Sequence, residues 1–182
     1  MTSDKKNEKR SGQSLVEAMV AITALTVSFL GISTLLAQSL SLNRTTTDEL
    51  KATYLASEGI EIVKNLNDHD VYAYQAMKQA TGWGTCFQGG GDFELDYKTT
   101  DCSALTPFSG DPLYYHADTH LYDYDANGGT PTDFTREIIV TNILPGQEIQ
   151  VDSIVRWPGS GGSAPSVDLQ DDFYYWEAAP TP

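Results

Sequence analysis

The chain has 182 residues, a formal charge of −14 and 40% hydrophobic residues, which describes one globular domain of ordinary size plus a short addition and leaves little room for two full domains. Three Trp, ten Tyr and six Phe can bury enough area to exclude a disordered acidic tail. The negative charge repels phosphates, so nucleic acid is not an expected partner, and the two cysteines, Cys86 and Cys102, settle little by number alone.

The first element is apolar. Residues 18–43 carry no formal charge and include "AMVAITALTVSFLGISTLLA"; 26 residues at about 1.5 Å each make a helix of about 39 Å, enough for a bilayer core of about 30 Å. Lys5, Lys6, Lys9 and Arg10 precede it, and the bias of positive charge towards the cytoplasm orients the short N-terminal tail inside and the acidic body outside. The alternative is a buried core helix. A cleaved secretory signal has a shorter apolar run closed by an A-x-A site; this run is longer, lacks that site and is followed by more helical pattern, so the segment reads as retained.

Glu17 stands at the mouth of this run, where a charge in hydrocarbon costs about 2.5 to 3.5 kcal/mol. A basic leader, Gly12, a glutamate at the fifth position after it and a long apolar helix together resemble the N-terminus of type IV pilins and the related pseudopilins. The resemblance covers about the first 60 residues. It implies cleavage by a prepilin peptidase between Gly12 and Gln13, methylation of the new amine on Gln13, and an assembly role for Glu17, whose carboxylate pairs with the N-terminal amine of a neighbouring pilin subunit in the filament core. Gln13 stands where Phe is common in the family. The apolar run has no proline to kink it, and "GIST" at 31–34 is the candidate for local melting, since Gly costs about 1 kcal/mol in a helix interior.

Helical periodicity continues past the apolar run. Ala52, Leu55, Ala56, Gly59, Ile62, Val63 and Leu66 recur at steps of three and four, with Asp48, Lys51, Glu58, Glu61 and Lys64 on the other faces, the pattern of an amphipathic helix packed on a head. Continuity from the apolar half is expected because no Gly or Pro interrupts 43–58; a capping box of Thr46 and Glu49 would instead mark a break near Arg44. "NLNDHD" is expected to end the helix at about residue 68.

Residues 69–135 read as a mainly irregular region rich in Gly, Asp, Tyr and Thr, the place for partner specificity. Cys86 and Cys102 flank a loop that a disulfide would stabilise by about 3 kcal/mol in the chain-entropy model, which suits an extracellular head; two unpaired thiols are the alternative. "DYDANGGTPTD" at 123–133 opens as a calcium loop does, with Asp123, Asp125, Asn127 and then Gly128, but Phe134 occupies the twelfth position where a bidentate Glu is needed. A Gly-rich turn is the favoured reading, so no metal and no cofactor is expected. His116, Asp118 and His120 in "HADTH" are read as polar loop residues.

The period changes to two at "DFELDYK", with Phe93, Leu95 and Tyr97 on one face, and again at "REIIVTNI" (136–143), "EIQVDSIVRW" (148–157) and "SVDLQDDFYYW" (166–176), separated by "LPGQ" and "PGSGGSAP". Three or four strands, the last three in a meander, give an α+β fold: a long N-terminal helix, one half transmembrane and one half amphipathic, packed on a C-terminal antiparallel sheet, which is similar to the pilin fold. The expected segments are a leader at 1–12, a transmembrane or filament-core helix at 13–43, an amphipathic helix at 44–68, an irregular region with the disulfide loop at 69–135 and a sheet at 136–182. G-x-S-x-G, H-E-x-x-H, P-loop and G-x-G-x-x-G motifs do not occur, so no enzyme is expected. The resemblance implies a minor-pilin-like structural subunit: a single-pass membrane protein, N-terminus in and C-terminus out before assembly, then a cell-surface filament component. The alternatives are a pseudopilin of a type II secretion-like system and a membrane-anchored extracellular binding module that does not polymerise.

Overall fold

The computed structural model describes residues 8–77, 85–159 and 162–175. Lys5 and Lys6 of the leader, and Trp176 at the expected end of the last strand, lie outside the described residues. The chain divides into two compact units, residues 1–47 and 48–182.

Helix α1 (Glu8–Met77) belongs to both units. In the first it is apolar and exposed, and its hydroxyl side chains bond back into the helix: Thr23 to the Val20 carbonyl at 2.9 Å, Ser28 to Ala24 at 2.7 Å and Thr34 to Leu30 at 2.9 Å. Such bonds satisfy polar groups without water. The helix passes through Gly31–Thr34 unbroken, so the candidate stretch for local melting is helical. The alternative break near Arg44 does not form either, because the Thr46 and Thr47 hydroxyls donate to the carbonyls of Leu42 and Asn43, at 3.0 and 2.8 Å, rather than capping a new start.

The expected end at about residue 68 is corrected: Asn67, Asp68 and His69 lie inside α1, which continues to Met77. Asn and Asp cost well under about 1 kcal/mol each in a helix, and neither Gly nor Pro occurs from 65 to 77, so nothing in "NLNDHD" is strong enough to stop it.

The head is an antiparallel sheet of seven strands: β1 (Gly91–Glu94), β2 (Thr106–Pro107), β3 (Pro112–His116), β4 (Leu121–Asp123), β5 (Thr130–Leu144), β6 (Glu148–Arg156) and β7 (Ser166–Tyr174). The long β5 organises it. One edge of β5 carries β3 against Thr130–Thr135 and β1 against Ile138–Val140; the other carries β6, which pairs with β7. The expected meander is therefore present as β5, β6 and β7, and its turn at "LPGQ" closes with the Gln147 amide donating to the Leu144 carbonyl at 2.9 Å, Gly146 having φ +74°.

Two expectations fail in this half. Residues 69–135 are not mainly irregular: they hold the end of α1, four strands and the first residues of β5, which begins at Thr130 rather than at 136. β2 to β4 escape period-two reading because they have only two to five residues, and the start of β5 because "TPTDFT" pairs without alternating hydrophobicity. The strand expected over "DFELDYK" also stops early, since the Asp96 carboxylate accepts from the Lys98 amide at 3.0 Å and turns the chain. Tyr97 is left 39% exposed.

The core lies between α1 and the sheet. Ala52, Leu55, Ala56, Gly59, Ile62, Val63 and Leu66 are all buried, and they meet Phe134, Ile138 and Val140 of β5 and Ile149, Val151 and Val155 of β6, with Phe87, Leu95, Leu113 and Trp157 filling the ends. Each large apolar side chain so buried contributes about 1.5 to 3 kcal/mol. Gly59 sits at the closest approach. A Cβ there would run into the Ser153 hydroxyl and stand 3.2 Å from both Arg136 Cδ and Ile138 Cδ1.

Candidate functional site

The first candidate is the N-terminal stretch of α1. Gly12 and Gln13 both lie within the helix; the Gln13 side chain is outside the described residues. Glu17 follows one turn later, exposed, and is the single charged residue between Arg10 and Arg44. Around and beyond it the large apolar side chains from Leu15 to Leu42 are uncovered, from 57% exposed at Leu40 to 71% at Phe29. A contiguous apolar surface of this length is not left in water; it is covered by lipid or by other protein. By length and composition the helix can cross a membrane.

The second candidate is the head around the two cysteines. Cys86 and Cys102 form a disulfide, with Cα atoms 4.9 Å apart. Cys86 is in a 3₁₀ turn, Thr85–Phe87, and Cys102 opens another, Cys102–Ala104, whose N-cap Asp101 accepts from the Ser103 amide at 2.8 Å. The Ser103 hydroxyl, and after it the Ser103 amide, hold the Asp101 carboxyl below its usual range.

Asp123, Asp125 and Asn127 do not gather as cation ligands. Asp123 is 1% exposed and accepts from Lys98 Nζ at 2.7 Å, from the Asp125 amide at 2.8 Å and contacts His116 Nε2 at 2.9 Å. Burial pushes its carboxyl up, but the bonds from Lys98, the Asp125 amide and His116 outweigh this and the net shift is downward. Asp125 accepts from the amide and side chain of Asn127 at 2.9 and 2.8 Å. Among the described residues no group of three or more His, Cys, Asp or Glu side chains could hold a metal ion. The loop is a Gly-rich turn pinned by an internal ion pair, with Gly128 at φ +79°. Of the "HADTH" residues, His116 joins this network, whereas the His120 ring bonds the Tyr115 hydroxyl at 2.8 Å.

Two charged residues that sequence patterns pass over have structural tasks. Arg136 is fully buried: it donates to the Leu55 carbonyl at 2.9 Å, to Glu58 at 3.2 Å and to the Leu95 carbonyl at 2.5 Å, tying α1, β5 and the residue after β1 together. The Tyr124 hydroxyl donates to the Arg136 carbonyl at 3.0 Å, and burial pushes that phenol up to about 12. Glu94, 4% exposed, accepts from the amides of Ser109, Gly110 and Asp111 at 2.8 to 2.9 Å and so fixes the approach to β3. The one sequence signal for Arg136 is its place at an inward position of an otherwise apolar alternation with Ile138 and Val140.

These arrangements supply buried salt bridges, fixed turns and a clamped loop. Compared with family models, with curated proteins and with solved structures, the chain matches none.

Proposed function

We propose that the protein is a structural subunit of a type IV pilus-like filament, of the minor-pilin kind, anchored in the cytoplasmic membrane through α1 before assembly and packed through the same helix in the filament afterwards. The observation that carries this reading is Glu17: one carboxylate, five residues after Gly12, in the stretch of α1 from Leu15 to Leu42 whose large apolar side chains are exposed. A plain membrane anchor has no need of it, since it only adds insertion cost. A free amine on Gln13 after cleavage, together with the helix N-terminus, gives that charge a partner. The resemblance to pilins supplies the enzyme for the cut, a prepilin peptidase, and the partner helices. The disulfide suits a head outside the cell.

The test is the N-terminal peptide of the protein in sheared surface filaments from the native host, read by mass spectrometry. The expected peptide begins at Gln13 with an added methyl group. An intact Met1, or a protein absent from the filament fraction, contradicts the proposal. Cleavage also removes Asp4 and Glu8 with the four basic residues, a net +2, so the mature chain carries −16 instead of −14.

A further inference from the structure

The turn between β4 and β5 contains "ANGG", residues 126–129. Asn127 is the one asparagine of the chain followed by glycine. Asn43, Asn65 and Asn67 lie in α1 and Asn142 in β5, and Arg, Leu, Asp and Ile follow them. The difference is chemical. A backbone amide can attack the side-chain carbonyl of the residue before it and close a succinimide ring, provided that its N–H is not held in a helix or sheet and that no side chain crowds the approach.

Both conditions are met here. Asn127 and Gly128 are exposed, Gly128 has φ +79°, and no atom lies within 4 Å of where a Cβ on it would stand. Among the described residues the Gly128 amide donates to no acceptor. What restrains the asparagine is Asp125, whose Oδ1 accepts from the Asn127 amide at 2.9 Å and from Nδ2 at 2.8 Å. That carboxylate is 43% exposed, and an exposed bond of this kind slows a swing of the side chain towards Gly128 by about tenfold.

We propose that Asn127 is a site of spontaneous covalent modification, converted to aspartate and isoaspartate through a cyclic imide with Gly128. The Gly128 nitrogen gives its proton to a base in the solvent and bonds to Asn127 Cγ. The Cγ–Nδ2 bond breaks and, with a proton from solvent, ammonia leaves. Water then opens the ring. Addition at Cγ restores the main chain with aspartate at 127, whereas addition at the backbone carbonyl carbon leaves the chain running through the side chain as isoaspartate. The net change is an amide and a water to a carboxylic acid and ammonia, with nothing oxidised or reduced.

Either product alters what the turn holds. The Nδ2 donor to Asp125 gives way to a second carboxylate. Isoaspartate also adds a methylene to the main chain two residues before Gly129, where a Cβ would stand 2.9 Å from both the Asp125 carbonyl oxygen and His116 Nε2. His116 Nε2 contacts that carbonyl at 3.2 Å and Asp123 at 2.9 Å, so the change reaches the ion pair of Lys98 with Asp123. The inference does not depend on filament assembly, because every group involved belongs to the head.

The test is ageing of the full-length protein in neutral detergent micelles, beside the same protein unfolded in guanidinium chloride, followed by reduction, trypsin and mass spectrometry against unaged samples. Tryptic peptide 99–136 contains no other Asn and no Gln, so the amide-to-acid mass gain in it reports Asn127 alone. The expected result is conversion in the folded protein at a rate within about tenfold of that of the unfolded chain, faster at pH 8 than at pH 6, with the aspartate and isoaspartate forms separating as peptides of equal mass. Asn127→Gln, which would need a larger ring, is expected to lose the gain. The proposal is overturned by an unmodified peptide from the folded protein when the unfolded chain has converted, by aspartate without isoaspartate, which would mark direct hydrolysis, or by an equal gain in Asn127→Gln.

Discussion

Gly59 sets how closely α1 approaches the sheet. Its place in the apolar stripe is readable from its three- and four-residue spacing with Ala56 and Val63. The need for glycine there is not, because the atoms a methyl group would meet belong to Ser153, Arg136 and Ile138, about eighty or more residues away in sequence. Gly59→Ala is expected to destabilise the head by about 1 to 3 kcal/mol through overpacking, despite the better helix propensity of Ala; urea denaturation measures it, and an unchanged midpoint refutes the close-approach account. Asp152 poses the opposite case. On β6 it pairs with Gln170 across β7, and burial, then Asp168 and Asp172, raise its carboxyl. A raised folded-state value means that ionisation of Asp152 costs stability, a cost present at neutral pH and relieved as pH falls through the carboxyl range around 3.8. Asp152→Asn is therefore expected to stabilise the head by about 0.2 to 1 kcal/mol at pH 7 and by less at pH 3, as thermal unfolding at the two pH values would read.

At the scale of elements, long regular patterns are legible and short irregular pairings are not. All seven residues of the stripe from Ala52 to Leu66 are buried, and β6 alternates inward and outward residues along its whole length, because each repeats one rule often enough to be seen. β1 to β4 have no such repetition, and what holds them is specific: Glu94 accepting three amides, Asp96 turning the chain, Lys98 meeting Asp123. Apart from the Asp96 turn, which is local, these contacts have no local sequence signature. The disulfide lies between the two cases, with its spacing readable but its formation decided by where β1 and the 3₁₀ turns bring the two cysteines. Replacing both, Cys86→Ser with Cys102→Ser, is expected to cost about 3 kcal/mol in the chain-entropy model, while the buried stripe keeps α1 on the sheet. Thiol labelling of denatured, unreduced wild-type protein is expected to find no free cysteine, and full labelling would contradict the bond.

For the whole molecule, the contrast is between an acidic head with its own core and a helical segment whose large apolar side chains, Leu15 to Leu42, are exposed among the described residues. Such a segment finds cover in lipid, in other helices, or in each in turn, and Glu17 is the feature that distinguishes these outcomes. Removing a charge from the start of an apolar helix lowers the cost of membrane residence, so Glu17→Ala is expected to insert as well as wild type or better. In a filament core the same change leaves a neighbouring amine without its partner, and breaking one side of a buried pair costs about 3 to 5 kcal/mol, more than a hundredfold in an assembly equilibrium. The measurement is the ratio of protein in sheared surface filaments to protein in the membrane, for wild type and Glu17→Ala at matched expression. A large fall in that ratio with membrane levels maintained is the predicted result, and equal ratios would contradict the assembly role of Glu17 and leave α1 as an anchor alone.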